Sequence, residues 1–200
     1  MKHIHKKSEP SAWRAHRVTP GATFEAIAEL RESLLQEQGY ICCYCMSRVS
    51  AEQMKVEHFR PRKYAESVMV YDNLMAACLG ISNQYRHCDT NKADQEISIN
   101  PTDHRCEIII SYSSNGKVKC SEECRADVED TLNLNNPILT ANRKAALDIT
   151  LDLLKRANRG FSTGNLERTL VKFQSKDKDG RYSPYCQVIL WWLIKKLKRL

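Results

Sequence analysis

Residues 42–60 read "CCYCMSRVSAEQMKVEHFR", and this stretch carries the two features that decide the expected fold. The first feature is a C-x-x-C pair, Cys42 and Cys45. Its segment is too short for a helix and is typical of a knuckle. The second feature is a carboxylate directly beside a histidine, Glu57 and His58, in a segment that predicts a short strand. A cysteine knuckle followed by an acid–histidine strand is therefore expected.

Four cysteines are candidates for one zinc site. The spacing of Cys42 and Cys45 lets two thiolates share a tetrahedral Zn²⁺ at about 2.3 Å. Cys78 and Cys88 are the candidates for the other two ligands, although they are ten residues apart and do not form a second C-x-x-C. Cys43 also lies near Cys45, but the C-x-x-C spacing prefers Cys42. A redox pair or unremarkable buried thiols are the alternatives, and no βαβ pattern supports a redox pair.

The remaining cysteines lie outside this group, and they are expected to be buried thiols: Cys106, Cys120, Cys124 and Cys186. The start of the chain lacks the apolar core of a signal peptide, and no run approaches the roughly 18 apolar residues of a membrane span. A cytoplasmic protein without membrane contact is therefore expected. In a reducing compartment, metal ligation or free thiols are favoured over disulfides.

The acid–histidine pair predicts hydrolytic chemistry. Glu57 can hold a hard divalent cation, and His58 titrates close enough to neutrality to deprotonate water. Hydrolysis of a phosphodiester needs both functions. Asn73 could hold the other nitrogen of His58, directly or through its backbone, and Asp89 or Asn91 could be the second protein ligand of the cation. Each of these residues also has a structural interpretation, such as a helix cap, but their order between the cysteines favours one site.

The basic balance of the chain favours a polyanionic partner. The net charge is +7, and residues 1–20 and 181–200 each carry five Lys or Arg, whereas residues 89–130 carry ten acids against five bases. The alternative interpretation is that these charged residues lie on ordinary solvent-exposed faces and bind no partner. Four basic residues flank the proposed site and could attract phosphates without reading a base sequence: Arg60, Arg62, Lys63 and Lys92.

The pattern of the whole chain predicts an α+β, mainly helical fold. We expect an amphipathic helix at 23–38, a short helix at 71–79 capped by Asp72 or Asn73, and a β-hairpin within 105–120 around "SSNG". Further helices are predicted at 138–158 and 164–174, followed by a last helix with Ser183 as its N-cap and Pro184 in its first turn. That last helix could dock a partner or close the core.

Four short motifs together resemble the HNH endonucleases: "CCYC", "VEHFRP", "YDNLMAAC" and "CDTNK". With "KHIHKKSEP" near the start and "INP" at 99–101, they more narrowly resemble the PtuB-like HNH subunits of Septu and retron-associated anti-phage defence systems, over about residues 1–101. The resemblance implies a ββα-metal (HNH) core on a zinc knuckle at 40–101. An N-terminal segment with a helix at 1–39 precedes this core, and a β-hairpin and helical lobe at 102–200 follows it.

The resemblance also implies residue roles. Glu57 and His58 take the positions of metal ligand and general base, and Asn73 takes the middle position. Asp89 takes the third position, where many HNH proteins have Asn or His, and Asn91 could substitute for it. The implied cofactors are a structural Zn²⁺ and a catalytic Mg²⁺ or Mn²⁺ bound by Glu57 and Asp89.

The implied function is that of a nuclease effector, in effect a toxin that is held in check until infection. Its expected partners are a PtuA-like ATPase of the ABC/SMC-like kind and, in a retron, a reverse transcriptase with its RNA–DNA hybrid. Phage DNA and host tRNA are the expected targets. The alternative function is a non-catalytic, zinc-bound adaptor that links the ATPase to nucleic acid.

Overall fold

The computed structural model describes residues 1–158 and 160–200. Two helices lead into the knuckle, α1 at Ser11–Val18 and α2 at Ala28–Gln38. The second helix begins five residues later than the prediction of 23–38, because Ile27 is still extended. It ends where predicted, at Gly39, whose left-handed φ of 60° lets its N–H turn back to the carbonyl of Gln36. The face of α2 that packs into the core consists of Leu30, Leu34 and Leu35.

Two paired strands follow the knuckle. Strand β1 at Met54–His58 confirms the predicted strand, and it pairs antiparallel with β2 at Leu74–Cys78, so that His58 lies opposite Leu74. The helix predicted at 71–79 is therefore wrong. Only Tyr71–Asn73 makes a single helical turn, and the rest is β2. Every residue of β2 is buried, and pairing with β1 satisfies the strand backbone, which outweighs the helix propensity of Leu, Met and Ala.

A small hairpin and a short helix complete this part of the fold. Strands β3 at Ile81–Ser82 and β4 at Tyr85–Arg86 pair with each other, and helix α3 at Cys88–Lys92 follows them. Helix α3 packs against β2. Strands β1 and β2 and helix α3 thus form a ββα unit.

The segment after the ββα unit differs in part from its prediction. A helical turn, α4 at Cys106–Ile109, occupies the start of the segment that was predicted as a hairpin, including two of the three consecutive isoleucines at 108–110. The predicted hairpin is confirmed but short, with β5 at Ser111–Tyr112 paired to β6 at Val118–Lys119. A 3₁₀ turn at Glu122–Cys124 and a π-helical turn at Asp127–Thr131 follow.

The C-terminal helices confirm three predicted elements. They are α5 at Pro137–Arg156, α6 at Thr163–Gln174 and α7 at Cys186–Leu197, and α7 packs against both of the others. The predicted cap at Ser183 is wrong. Helix α7 begins after Tyr185, which is left-handed at φ 56° because its N–H is tied to the carbonyl of Met46 in the knuckle.

The side chains of α7 favour the interpretation of this helix as core. Val188, Leu190 and Leu193 are buried, while Trp191 and Trp192 are half-buried. Apart from Leu190, the buried apolar side chains of the N-terminal helices, the ββα unit and α7 belong to one continuous cluster. Among residues 1–158 and 160–200, no helix combines the length and the apolar character that crossing a bilayer requires.

Candidate functional site

The structure brings together the four cysteines predicted as zinc ligands. The sulfurs of Cys42, Cys45, Cys78 and Cys88 all lie within 4.8 Å of one another. Cys42 Sγ is 3.9 Å from Cys88 Sγ, and Cys45 Sγ is 3.8 Å from Cys78 Sγ. Four thiolates around Zn²⁺ at bond lengths of about 2.3 Å would be about 3.8 Å apart. The cluster therefore fits a tetrahedral metal such as zinc, and it contains Cys42 rather than Cys43.

The cysteine cluster fastens three separate segments to one another. Cys42 and Cys45 lie in the knuckle between α2 and β1, Cys78 is the last residue of β2, and Cys88 is the first residue of α3. The other five cysteines lie outside the cluster. Of the four that were predicted to be buried thiols, three are buried and Cys120 is only half-buried; the buried ones are Cys106, Cys124 and Cys186.

His87 also lies against the cluster, and the sequence reasoning missed it. Its Nδ1 is 3.3 Å from Cys88 Sγ and 3.8 Å from Cys78 Sγ, and its Nε2 is 3.0 Å from Ser82 Oγ. The side chain is buried. Its position beside Cys88 in the sequence was the signal that could have identified it as a neighbour of the sulfurs.

The acid–histidine pair opens onto a cavity of about 590 Å³. Glu57 and His58 reach it from the end of β1, and Asp89 reaches it from the first turn of α3. Burial, and then the neighbouring Asp89 carboxylate, raise the pKa of Glu57 to about 8. Two crowded carboxylates of this kind are stabilised by a cation between them, and oxygen ligands suit Mg²⁺ or Mn²⁺.

One oxygen of Glu57 already has two partners. The Tyr44 hydroxyl donates to Glu57 Oε1 at 2.7 Å, and Lys92 Nζ lies 2.9 Å from the same oxygen. Lys92 also donates to the backbone carbonyl of His58 at 3.0 Å. The prediction that Lys92 contacts nucleic acid is wrong, because its side chain is completely buried. The sequence shows the charge of Lys92 and its place on α3, but it does not show in which direction the side chain points.

The ring of His58 is held by backbone and by arginine. Its Nε2 lies 3.2 Å from the carbonyl oxygen of Val68, and Arg62 Nε donates to its Nδ1 at 3.2 Å. Because a carbonyl only accepts, Nε2 carries the proton and Nδ1 is the basic nitrogen. Burial and then Arg62 lower the pKa of His58 to about 4, so the imidazole is neutral at pH 7. The Phe24 ring packs on it with ring centres 4.6 Å apart.

Asn73 supports this histidine only indirectly. Its Oδ1 accepts from the backbone N–H of Arg60 at 2.7 Å, and its Nδ2 donates to the carbonyls of Arg60 and Ser67. Its own carbonyl accepts from the N–H of Phe59. The expectation that Asn73 holds the His58 ring is therefore wrong, since Val68 does so. Asn73 instead fastens the loop that presents Val68.

Asp89 and Asn91 point to different surroundings. Asp89 lines the cavity beside Glu57. The Asn91 amide donates to the carbonyls of Asp130 and Thr131, at 2.7 and 3.0 Å, and Asn91 is not among the residues that line the cavity. Of the two alternatives for the second cation ligand, only Asp89 is positioned beside Glu57.

The basic residues predicted to flank the site differ in their positions relative to the cavity. Arg62 lines the cavity, with its guanidinium 4.8 Å from the centre of the Phe24 ring. Arg60 and Lys63 are half-exposed, and each pairs with a surface carboxylate. Three further basic residues line the cavity and were missed because they are distant in sequence or outside the motifs: Arg31, Lys55 and Arg86.

Comparison with known proteins supports the family resemblance. No family model matches the chain. The chain is similar to a curated protein of Vibrio cholerae serotype O1 biovar El Tor whose printed description is "Retron Vc95 putative HNH endonuclease". The two are 26% identical over 144 residues, which cover 66% of this chain and 70% of that protein. This relative confirms the resemblance of the chain to the HNH endonuclease family in a retron context.

Proposed function

We propose that this protein is an HNH-type, metal-dependent endonuclease. One observation carries the proposal: Glu57, His58 and Asp89 converge on one cavity of a ββα unit whose second strand and helix are tied to the knuckle by four cysteines. The similarity to a protein described as a retron HNH endonuclease supports it independently. The zinc of the cysteine cluster is structural in this proposal, and Glu57 and Asp89 hold a Mg²⁺ or Mn²⁺ ion.

His58 is the general base of the proposed reaction. The Val68 carbonyl fixes its tautomer and leaves Nδ1 to accept a proton from water. Arg62 occupies Nδ1 in this structure, and because its side chain reaches solvent, a phosphate group can attract the guanidinium away from the ring. The bound cation supplies neutralisation of the charge that develops on the phosphate and the leaving oxygen.

The proposed setting is an anti-phage defence complex in the cytoplasm. The protein acts as the effector subunit with a PtuA-like ATPase, and in a retron with a reverse transcriptase and its RNA–DNA hybrid. Phage DNA and host tRNA are the proposed targets. The basic residues around the cavity bind phosphates of either polymer, because charge attraction carries no base specificity.

The test is a cleavage assay of the protein together with the ATPase of its own defence system. Plasmid DNA and total tRNA are incubated with Mg²⁺ or Mn²⁺, and with EDTA as the control. We expect cation-dependent cleavage that His58→Ala lowers by at least about 10²-fold, as loss of a general base does. Zinc content and thermal unfolding should stay close to wild type.

His104→Ala is the matched control, because this histidine is largely exposed and lies outside the cavity. Cleavage that persists in His58→Ala would exclude His58 as the base. Defence activity that survives this substitution without cleavage would support the adaptor function instead.

A further inference from the structure

We propose that Tyr44 and Lys92 select the cation at this site, favouring Mg²⁺ or Mn²⁺ over Ca²⁺, by withholding one oxygen of Glu57. The inference rests on the proposed catalytic function, because it concerns the cation that Glu57 and Asp89 would share.

Both donors converge on the same atom. Glu57 Oε1 accepts from the Tyr44 hydroxyl at 2.7 Å and from the Lys92 ammonium at 2.9 Å. A carboxylate oxygen offers two lone pairs, and these two contacts occupy both. Only Oε2 of Glu57 is left for a cation beside Asp89.

The arrangement is rigid because both donors are buried and anchored. Tyr44 immediately precedes Cys45 in the knuckle, and Lys92 lies one helical turn after Cys88 on α3, so the cysteine cluster holds the segments that carry both. The exposed fraction of the Lys92 and Glu57 side chains is 1% each. Lys92 also bonds the His58 carbonyl, and breaking its contact with Glu57 would leave a buried ammonium without its carboxyl partner.

A carboxylate with one available oxygen discriminates between divalent cations. Ca²⁺ takes six to eight oxygen ligands and often both oxygens of one carboxylate, whereas Mg²⁺ requires an octahedron, keeps several waters and is bound through few carboxylate oxygens. Withholding Oε1 therefore costs Ca²⁺ a ligand and costs Mg²⁺ or Mn²⁺ little. The positive charge of Lys92 opposes all divalent cations equally, so the ratio of two affinities isolates the effect of the withheld oxygen.

The experiment measures Mn²⁺ binding by electron paramagnetic resonance on the zinc-loaded protein, with Ca²⁺ as the competitor. Lys92→Met removes one donor to Oε1 and Tyr44→Phe removes the other. We expect the affinity for Ca²⁺ relative to Mn²⁺ to rise about tenfold in Lys92→Met and about threefold in Tyr44→Phe. Lys144→Met is the matched control, because this exposed lysine of α5 pairs with Asp148 outside the cavity, and its ratio should equal that of wild type.

Three outcomes would overturn the inference. An unchanged ratio in both variants, with Mn²⁺ still bound, would show that Oε1 is not withheld from cations. Equal loss of both cations in Tyr44→Phe would show that the contacts only support the fold. If Lys92→Met does not fold, Tyr44→Phe alone still tests the inference, because it removes one hydroxyl and no charge. A wild-type protein that binds no Mn²⁺ would refute the proposed catalytic site itself, which is a distinguishable result.

Discussion

The molecule contains two candidate metal sites of opposite design. The cysteine cluster is closed: its four residues are at most 9% exposed, and their sulfurs lie within 4.8 Å of one another. The cavity beside Glu57, His58 and Asp89 is open to solvent and offers oxygen ligands from two elements. Structural zinc sites are closed, and catalytic metal sites keep an open position for water or substrate. Geometry therefore separates a site that stabilises the fold from one that can react.

The two sites are nevertheless built on the same segments. The knuckle that supplies Cys42 and Cys45 also supplies Tyr44, and the helix that begins at Cys88 carries Asp89. The closed site thus holds the segments that carry two residues of the proposed open site, Tyr44 and Asp89. The comparison predicts that damage to the closed site removes both sites, whereas damage to the open site leaves the closed one intact.

The largest expected effect is that of Cys45→Ala. Because metal binding and folding are coupled in small metal sites, with apparent energies of about 10 kcal/mol or more, we expect loss of zinc and of cooperative thermal unfolding. The measurements are zinc per chain by plasma mass spectrometry and a thermal melt.

Cys106→Ala is the control for this variant, because Cys106 is a buried thiol outside the cluster. It should keep one zinc and lose only about 1 to 2 kcal/mol of unfolding free energy. A Cys45→Ala protein that melts like Cys106→Ala would mean that the sulfurs hold no structural metal.

The next effect distinguishes the two candidates for the second cation ligand. Asp89→Ala should weaken Mn²⁺ binding at least about tenfold, because it removes a charged ligand, and should abolish cleavage with zinc retained. Asn91→Ala should leave Mn²⁺ affinity unchanged, since its amide bonds the carbonyls of Asp130 and Thr131. Isothermal titration calorimetry with Mn²⁺ gives both values, and a reversed ranking would assign the ligand to Asn91.

A smaller effect should appear in the pH dependence of stability. The pKa of His58 is about 4 in the folded protein against an ordinary value of 6.5, so the unfolded chain binds the proton first as pH falls. His58 therefore contributes stability above pH 6.5 that is lost as pH falls towards 4. The variant His58→Gln has no imidazole at this position, while every other group titrates in both proteins. The difference between the two proteins therefore isolates the contribution of His58.

The measurement is the melting temperature of both zinc-loaded proteins, without added Mg²⁺ or Mn²⁺, between pH 4 and pH 7.5. Relative to the variant, wild type should lose a few degrees between pH 6.5 and pH 4. Parallel curves would show that His58 is not held neutral.

The smallest effect concerns the exposed charge of Lys63, which follows the cavity-lining Arg62 in the chain. Lys63→Ala should weaken nucleic-acid binding a fewfold and equally for different base sequences. It should also reduce the slope of log affinity against log salt by about one, as expected for one lost phosphate contact. Lys117→Ala, on the hairpin outside the cavity, should change neither value. An unchanged slope in Lys63→Ala would place the bound strand elsewhere.

Elements whose signal is local agree with their predictions. The apolar period of α5 and the turn chemistry around Gly116 lie within a few adjacent residues, and the structure has a helix and a hairpin there. Elements decided by distant partners differ. The run at 74–78 has the composition of a helix but forms β2 because β1 is there to pair with it, and Tyr185 starts α7 late because Met46 holds its N–H.

The sequence by itself indicated the chemistry of the candidate sites: four cysteines for a metal such as zinc, two acids for a hard cation, and a histidine for a base. Chemistry and spacing along the chain are local properties and can be read directly. Only the tertiary structure decided the partners: the carbonyl of Val68 rather than Asn73 holds His58, and Lys92 turns inward to Glu57. A side chain's direction depends on which distant backbone packs beside it, and that information lies in the fold rather than in any single motif.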